Sequence, residues 1–145
     1  MIIAEQKPFR EIYESVKDSE KLLVLGCGTC VTVCMAGGEK EVGVLANQIR
    51  LAAKREERKI EVLEHTLTRQ CDEEFFDETA SGKIQEADLV LSLGCGVGVQ
   101  HVVQLFPDVI VHPGVNTQFF GATEKQGVWL ERCAGCGECM LDRFE

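Results

Sequence analysis

The sequence predicts an α/β fold, with an open parallel sheet of about four strands and helices on both faces. Short apolar segments alternate with helical patterns along residues 8–111, and this alternation is typical of parallel sheets. Residues 88–93 are nearly continuous in leucine and valine, as expected of a strand that is buried on both faces. A chain of 145 residues, 45% of them hydrophobic, is long enough to form one core of this kind.

The first half of the chain supplies two predicted helices and two predicted strands. A short helix follows Pro8, because apolar residues recur there at helical spacing: Phe9, Ile12, Tyr13 and Val16. Residues 21–25 form the first strand and residues 60–67 the second. Residues 39–59 between them predict a long amphipathic helix. Its apolar positions are Val42, Leu45, Ala46, Ile49, Ala52 and Ala53.

The second half repeats the alternation up to residue 111. Residues 72–80 predict a short helix capped by Asp72, and residues 88–93 form the third strand. A helix with one apolar face follows, and Pro107 and Asp108 end it. The residues of that face are Val99, Val102, Val103 and Phe106. Residues 109–111 form the fourth strand. Since crossovers between parallel strands are right-handed, we favour the strand order 2-1-3-4, a flavodoxin-like or Rossmann-like sheet.

The pattern weakens after Pro113 and Gly114, so residues 115–129 are predicted to be mostly loop. We therefore divide the chain into an α/β domain, residues 1–114, and a loop-rich C-terminal extension, residues 115–145. The large apolar residues Phe119, Phe120 and Trp129 lie in this predicted loop. Apolar residues outside regular structure indicate an interaction surface, and we expect a partner to dock there.

Three of the eight cysteines directly follow the first strand. Cys27, Cys30 and Cys34 form a C-x2-C-x3-C array, too compact for a set of disulfides. Thiolates at such spacing suit zinc or an iron–sulfur cluster. The alternative is that these cysteines are small buried hydrophobic residues. The glycines on both sides of Cys27 favour a ligand loop over that alternative.

Two further cysteines follow the next two strands, Cys71 after the second and Cys95 after the third. The carboxyl ends of parallel strands meet at one edge of the sheet, where ligands bind in such folds. We therefore predict a metal centre held by the C-x2-C-x3-C array and completed by Cys71 or Cys95. A [4Fe–4S] cluster is favoured over zinc, which usually takes two short cysteine pairs. Five thiols for four positions leave one spare, either a bystander or a ligand of another centre.

The remaining cysteines, Cys133, Cys136 and Cys139, have C-x2-C-x2-C spacing. This spacing begins the bacterial ferredoxin run, which continues with x3-C-P. Position 143 is arginine, so the run is incomplete. We name these residues the C-terminal trio, and they would hold a second cluster if the spare thiol joined them.

Other functions are disfavoured by composition and spacing. The net charge of −9 opposes binding to nucleic acid, which needs clustered lysine and arginine. The sequence has no long apolar run for a membrane span and no signal peptide at residues 1–8, so we expect a cytoplasmic protein. The loops at Gly26 and Gly94 do not match the G-x-G-x-x-G dinucleotide motif. We do not expect His65, His101 or His112 to be ligands, and no Ser-His-Asp or paired-carboxylate set is evident.

Several segments together carry a resemblance to a known family. They are residues 26–34, 36–41, 69–71, 94–96, 99–100, 113–117 and 127–133. In this order they resemble the methylenetetrahydrofolate reductase C-terminal family, the small cysteine-rich subunit of the reductase found in acetogenic bacteria. The resemblance covers nearly the whole chain.

The resemblance implies an iron–sulfur protein with one [4Fe–4S] cluster or two. Its partner would be a flavin-containing catalytic subunit that reduces methylenetetrahydrofolate in one-carbon metabolism. A further electron-transfer protein would be a second partner, as donor or acceptor. The chain itself would carry electrons and hold no folate. Family members usually continue past the C-terminal trio, whereas this sequence ends at Glu145, so we expect an incomplete second centre. The alternative is a zinc-stabilised scaffold without a redox role.

Overall fold

The computed structural model of the protein describes residues 1–137 and residue 139. These residues form two β-sheets with helices packed against them. In chain order the elements are β1 (Ile2–Gln6), α1 (Phe9–Val16), β2 (Lys21–Cys27), α2 (Cys30–Val33), α3 (Glu39–Arg55), β3 (Glu61–Leu67), a 3-10 turn (Glu73–Phe75), α4 (Glu78–Glu86), β4 (Leu89–Ser92), α5 (Gly96–Leu105), β5 (Ile110–Pro113), β6 (Val115–Lys125) and β7 (Val128–Cys133).

The larger sheet is parallel and has the order β3-β2-β4-β5, which confirms both the predicted strands and their predicted order. Strand β2 lies in its middle, where Leu23 pairs with Leu63 of β3 and with Val90 of β4. Alternate residues of β2 enter two separate cores: Leu22 and Val24 face the first, Leu23 and Leu25 the second. The sheet is therefore covered on both faces, as an open α/β fold requires.

Helix α3 follows its predicted amphipathic pattern, whereas α5 follows its pattern only in part, since Val102 is buried but Val103 is 41% exposed. Helix α3 buries Leu45 and Ile49 in the first core, and helix α4 buries Ile84 in the second. The single helix predicted over residues 72–80 is instead a 3-10 turn followed by α4. Two aspartates cause this break because each caps its own element, Asp72 accepting from the N–H of Glu74 and Asp77 from the N–H of Ala80. No helix in the described residues is long and apolar enough to cross a membrane.

The smaller sheet is antiparallel, in the order β1-β6-β7, and the sequence did not predict it. The expectation of loop over residues 115–129 is wrong, because β6 and β7 occupy most of that segment. Most side chains of β6 are exposed, so the strand lacks the alternating apolar pattern that sequence analysis looks for. Since β1 pairs with β6, the first and last described strands share one sheet. The division at residue 114 stays a prediction.

Candidate functional site

Three cysteines lie at the carboxyl ends of three adjacent strands of the parallel sheet. Cys27 is the last residue of β2, Cys71 follows β3, and Cys95 is the residue that precedes helix α5. Strand β2 pairs with both β3 and β4, so the three chain segments that carry these cysteines emerge side by side. We name Cys27, Cys71 and Cys95 the edge trio.

The thiols of the edge trio lie close enough to influence one another. Cys71 is exposed overall, but partial desolvation of its thiol raises the pKa above its ordinary value, and the neighbouring Cys95 and Cys27 raise it further. Like charges disfavour one another at short range, so three ionised thiols at this edge would repel. A bound cation would remove this repulsion, and metal binding deprotonates cysteine ligands.

A buried polar pair, Gln70 and Ser92, lies beneath the edge trio. Both residues are 0% exposed. The Oγ of Ser92 donates to the Oε1 of Gln70 over 2.7 Å, and the Nε2 of Gln70 donates to the carbonyl oxygens of Leu25 and Gly26, each over 2.9 Å. The N–H of Gly94 donates to the Oγ of Ser92 over 3.2 Å. These bonds connect the ends of β2 and β4 through a side chain that follows β3.

The two cysteines of the α2 region have different surroundings. Cys30 begins α2 and is half-buried. Cys34 follows α2, is buried, and belongs to the first core. Its Sγ accepts a hydrogen bond from the N–H of Ala4 over 3.4 Å and lies 3.7 Å from the carbonyl oxygen of Val31. Burial raises the pKa of the Cys34 thiol, so this cysteine behaves as a protonated core residue.

The C-terminal trio is exposed. Cys133 is the last residue of β7, and its Sγ accepts from the N–H of Gly135 over 3.4 Å. Gly135 and Gly137 have φ of +66° and +75°, left-handed values that glycine adopts readily. Cys136 and Cys139 are also exposed free thiols. The rest of the ferredoxin-type run, including Arg143, lies outside the described residues.

The donor chemistry of these residues fits an iron–sulfur cluster or zinc, because thiolates are the ligands that both prefer. All eight cysteines are free. Within residues 1–137 and 139, however, no group of three or more Cys, His, Asp or Glu side chains is arranged to hold a metal ion. The site thus supplies the right donors at one edge of the sheet, and their side chains would have to turn toward a common centre.

A cleft of about 530 Å³ lies beside the α2 region, between it and the smaller sheet. Its walls include Gln6, Cys34, Met35, Phe119 and Trp129. Two buried N–H donors, the Nε2 of Gln6 and the Nε1 of Trp129, have no hydrogen-bond partner within the described part of the chain. Met35 has a φ of +55°, which is unusual for a residue other than glycine. The cleft coincides with the segment where we expect a partner to dock.

Sequence analysis missed the Gln70–Ser92 pair. Gln70 follows the second predicted strand and entered the sequence analysis only within residues 69–71 of the family resemblance. Ser92 is a polar residue in an apolar run, which is also common in strands with one exposed face. The sequence signal that could have found Ser92 is a single hydroxyl in a strand otherwise buried on both faces, since buried polar groups need partners. His65 lies in β3, His101 in α5 and His112 in β5, as predicted.

Comparisons with known proteins give one match. No curated protein and no solved structure matches the chain. The matching family model covers part of β5, all of β6 and β7, and the C-terminal trio. It confirms the predicted resemblance over this segment: residues 112–145 match the family described as "Methylene-tetrahydrofolate reductase C terminal".

Proposed function

We propose that this protein is the iron–sulfur electron-transfer subunit of a methylenetetrahydrofolate reductase complex. The observation that carries the proposal is the convergence of Cys27, Cys71 and Cys95 at the carboxyl ends of three adjacent strands. The family match over residues 112–145 supports the association with a reductase. The partner would be a flavin-containing catalytic subunit, with a further electron-transfer protein as donor or acceptor.

The ligands that we propose for the main cluster are Cys27, Cys30, Cys71 and Cys95. Five thiols are available for four positions. Cys27 and Cys34 both belong to the first core, and within residues 1–137 and 139 Cys34 is the one of the five whose sulfur accepts a hydrogen bond from a backbone N–H, that of Ala4. Cys30 is half-buried and free of such a bond among the described residues. Cys34 is therefore the spare thiol, with a structural role.

In this role a [4Fe–4S] cluster would accept and release single electrons. The protein's own residues would hold it with four thiolates, and the burial of Cys27 would limit the access of water from the sheet side. Cluster potentials depend on charge, hydrogen bonds and solvent exposure around the sulfurs. We assign this chain no catalytic residue, and the reduction of the folate would take place on the partner.

A zinc-stabilised scaffold is the second candidate, because four thiolates also suit zinc. The raised pKa of the Cys71 thiol and its two causes, burial and neighbouring thiols, apply equally to a zinc site. In that case the protein would hold its partner in place without carrying electrons.

Metal analysis of anaerobically purified protein tests the proposal. We expect iron and acid-labile sulfide in equal amounts, with visible absorption from thiolate-to-iron charge transfer. A Cys71→Ser variant should lose the iron and sulfide of the main cluster, while a Cys34→Ser variant should retain them. Stoichiometric zinc in a colourless protein would instead support the scaffold.

A further inference from the structure

We propose that Gln70 and Ser92 are positioning residues that hold the edge trio, Cys27, Cys71 and Cys95, in one place. The pair touches no ligand itself, and it acts through the backbone next to each thiol. This inference rests on the proposed function in one respect, because it treats the three cysteines of the edge trio as ligands.

The side-chain amide of Gln70 holds the backbone beside two of the three cysteines. Its Nε2 donates to the carbonyl oxygen of Gly26 over 2.9 Å, and that carbonyl belongs to the peptide bond leading into Cys27. The same nitrogen donates to the carbonyl oxygen of Leu25. Gln70 itself directly precedes Cys71 in the chain. A fixed Gln70 side chain therefore fixes the start of both cysteine segments.

The hydroxyl of Ser92 holds the backbone beside the third cysteine, Cys95. It donates to the Oε1 of Gln70 over 2.7 Å and accepts from the N–H of Gly94 over 3.2 Å. Gly94 directly precedes Cys95. The buried pair thus bonds to the residues before Cys27 and Cys95, and Gln70 is itself the residue before Cys71.

The side chain of Gln70 lies directly against two glycines, Gly94 and Gly98. A Cβ atom at Gly94 would lie 2.5 Å from the Oε1 of Gln70, and one at Gly98 would lie 2.9 Å from its Cβ. Both distances are too short for real side chains, so glycine is needed at both positions. Gln70 is 0% exposed, and leaving its buried amide without hydrogen-bond partners would be costly. The hydrogen bonds made by its N–H donors and by its Oε1 acceptor therefore form one network.

Cross-linking of the metal-free full-length protein tests the positioning role. Under the mild oxidant diamide, which is reduced to a hydrazine as two thiols form a disulfide, we expect rapid Cys71–Cys95 bonding in the wild type, located by mass spectrometry. Ser92→Ala and Gln70→Leu should slow this bond by about tenfold or more, since small misplacements of reacting atoms slow reactions strongly. Ile84→Val is the matched control, because it trims the second core without touching the pair.

A Ser92→Ala variant that is folded and cross-links within about twofold of Ile84→Val would overturn the proposal. If both test variants fail to fold, amide hydrogen exchange of the wild-type protein tests the proposal instead. In the part of the chain that the structure describes, the N–H of Gly94 lies outside the strand ladder and donates to the Oγ of Ser92, so its free exchange would also overturn the proposal. Wild-type protein without iron or zinc would contradict the proposed function but leave these two measurements intact.

The loaded protein gives a separate readout. After anaerobic reconstitution with iron and sulfide, Ser92→Ala should release iron to a chelator about tenfold faster than Ile84→Val. Loss of a residue that orients metal ligands commonly weakens metal binding by this factor or more. Equal release rates would overturn the link between the pair and the cluster.

Discussion

The backbone N–H of Ala4 donates a hydrogen bond to the Sγ of Cys34 over 3.4 Å. Ala4 lies in β1 of the smaller sheet, and Cys34 follows α2 beside the parallel sheet. The bond therefore joins the two sheets through a sulfur that, from the sequence alone, was expected to bind metal. This sulfur, which also lies in the first core, would lose its bond to Ala4 on binding a metal.

Replacing Cys34 by alanine should leave the iron content of the protein unchanged. It should lower the free energy of unfolding by about 1–3 kcal/mol, because the substitution removes a buried atom and leaves the N–H of Ala4 without a partner. Iron analysis and urea denaturation of the same sample check both statements.

The control for Cys34→Ala is Cys71→Ala. Cys71 is exposed, so this change should cost the metal-free fold little, yet it should remove the cluster. If Cys34→Ala lost its iron while Cys71→Ala kept it, the proposed ligand set would be wrong.

The parallel sheet was predictable because each of its strands is a short apolar run followed by a helical pattern. The smaller sheet was not, for two physical reasons. In β1 the adjacent residues Ile3 and Ala4 are both buried, because the pairing register shifts between them, and this shift destroys the alternation of inward and outward residues. In β6 most side chains are exposed, so hydrogen bonding rather than apolar burial defines the strand.

The sequence was enough to predict where the candidate site lies, but not how its side chains are arranged. The rule that parallel strands end at one edge was enough to gather Cys27, Cys71 and Cys95. It could not identify Cys34 as a core residue, because that depends on the unpredicted strand β1. Nor could it find the contact between Gln70 and Ser92, since nothing local in the sequence shows that these two side chains meet.

Iron bound at the C-terminal trio should be more labile than iron at the edge trio. Cys133, Cys136 and Cys139 are all exposed, and exposed thiolates oxidise and exchange readily. Under limited air, iron loss followed by absorption should show two phases, and Cys136→Ser should remove only the fast one. A single phase, unchanged in Cys136→Ser, would contradict this expectation.

The protein alone should show no methylenetetrahydrofolate reduction, because the proposed function assigns it electron transfer only. Activity should require the flavin-containing partner. Turnover by the isolated chain with an artificial electron donor would refute this prediction, and it is measured by the formation of methyltetrahydrofolate.

The partner should bind over the cleft that contains Met35 and Trp129. The side chain of Met35 is 53% exposed, and its left-handed backbone is a conformation that favours glycine. Met35→Gly should therefore leave the melting temperature unchanged or raise it, while weakening the complex about tenfold through lost apolar contact. Binding is measured by calorimetry. Leu51→Gln on α3, where Leu51 is also exposed, is the control surface change, and an equal loss of binding in both variants would disprove the location.

The stability of the protein should fall as the pH decreases below about 6.5, and His65 should contribute to that fall. Burial lowers the pKa of His65 below its ordinary value of 6.5, and the positive charge of Lys83 lowers it further, with Asp77 acting in the opposite direction. The side chain of Lys83 is held nearby, since its Nζ donates to the carbonyl oxygen of Glu64 over 3.0 Å.

The sign of this effect follows from proton binding by the two states. Below about pH 6.5 the unfolded chain protonates His65, whereas the folded protein resists protonation until its lower pKa is reached, so acid favours unfolding in that interval. His65→Gln should therefore flatten the plot of melting temperature against pH, and Lys83→Gln should flatten it partly, because the pKa of His65 would return toward 6.5. Melting curves of the three proteins at several pH values provide the measurement. An unchanged slope in His65→Gln would show that other groups cause the acid sensitivity.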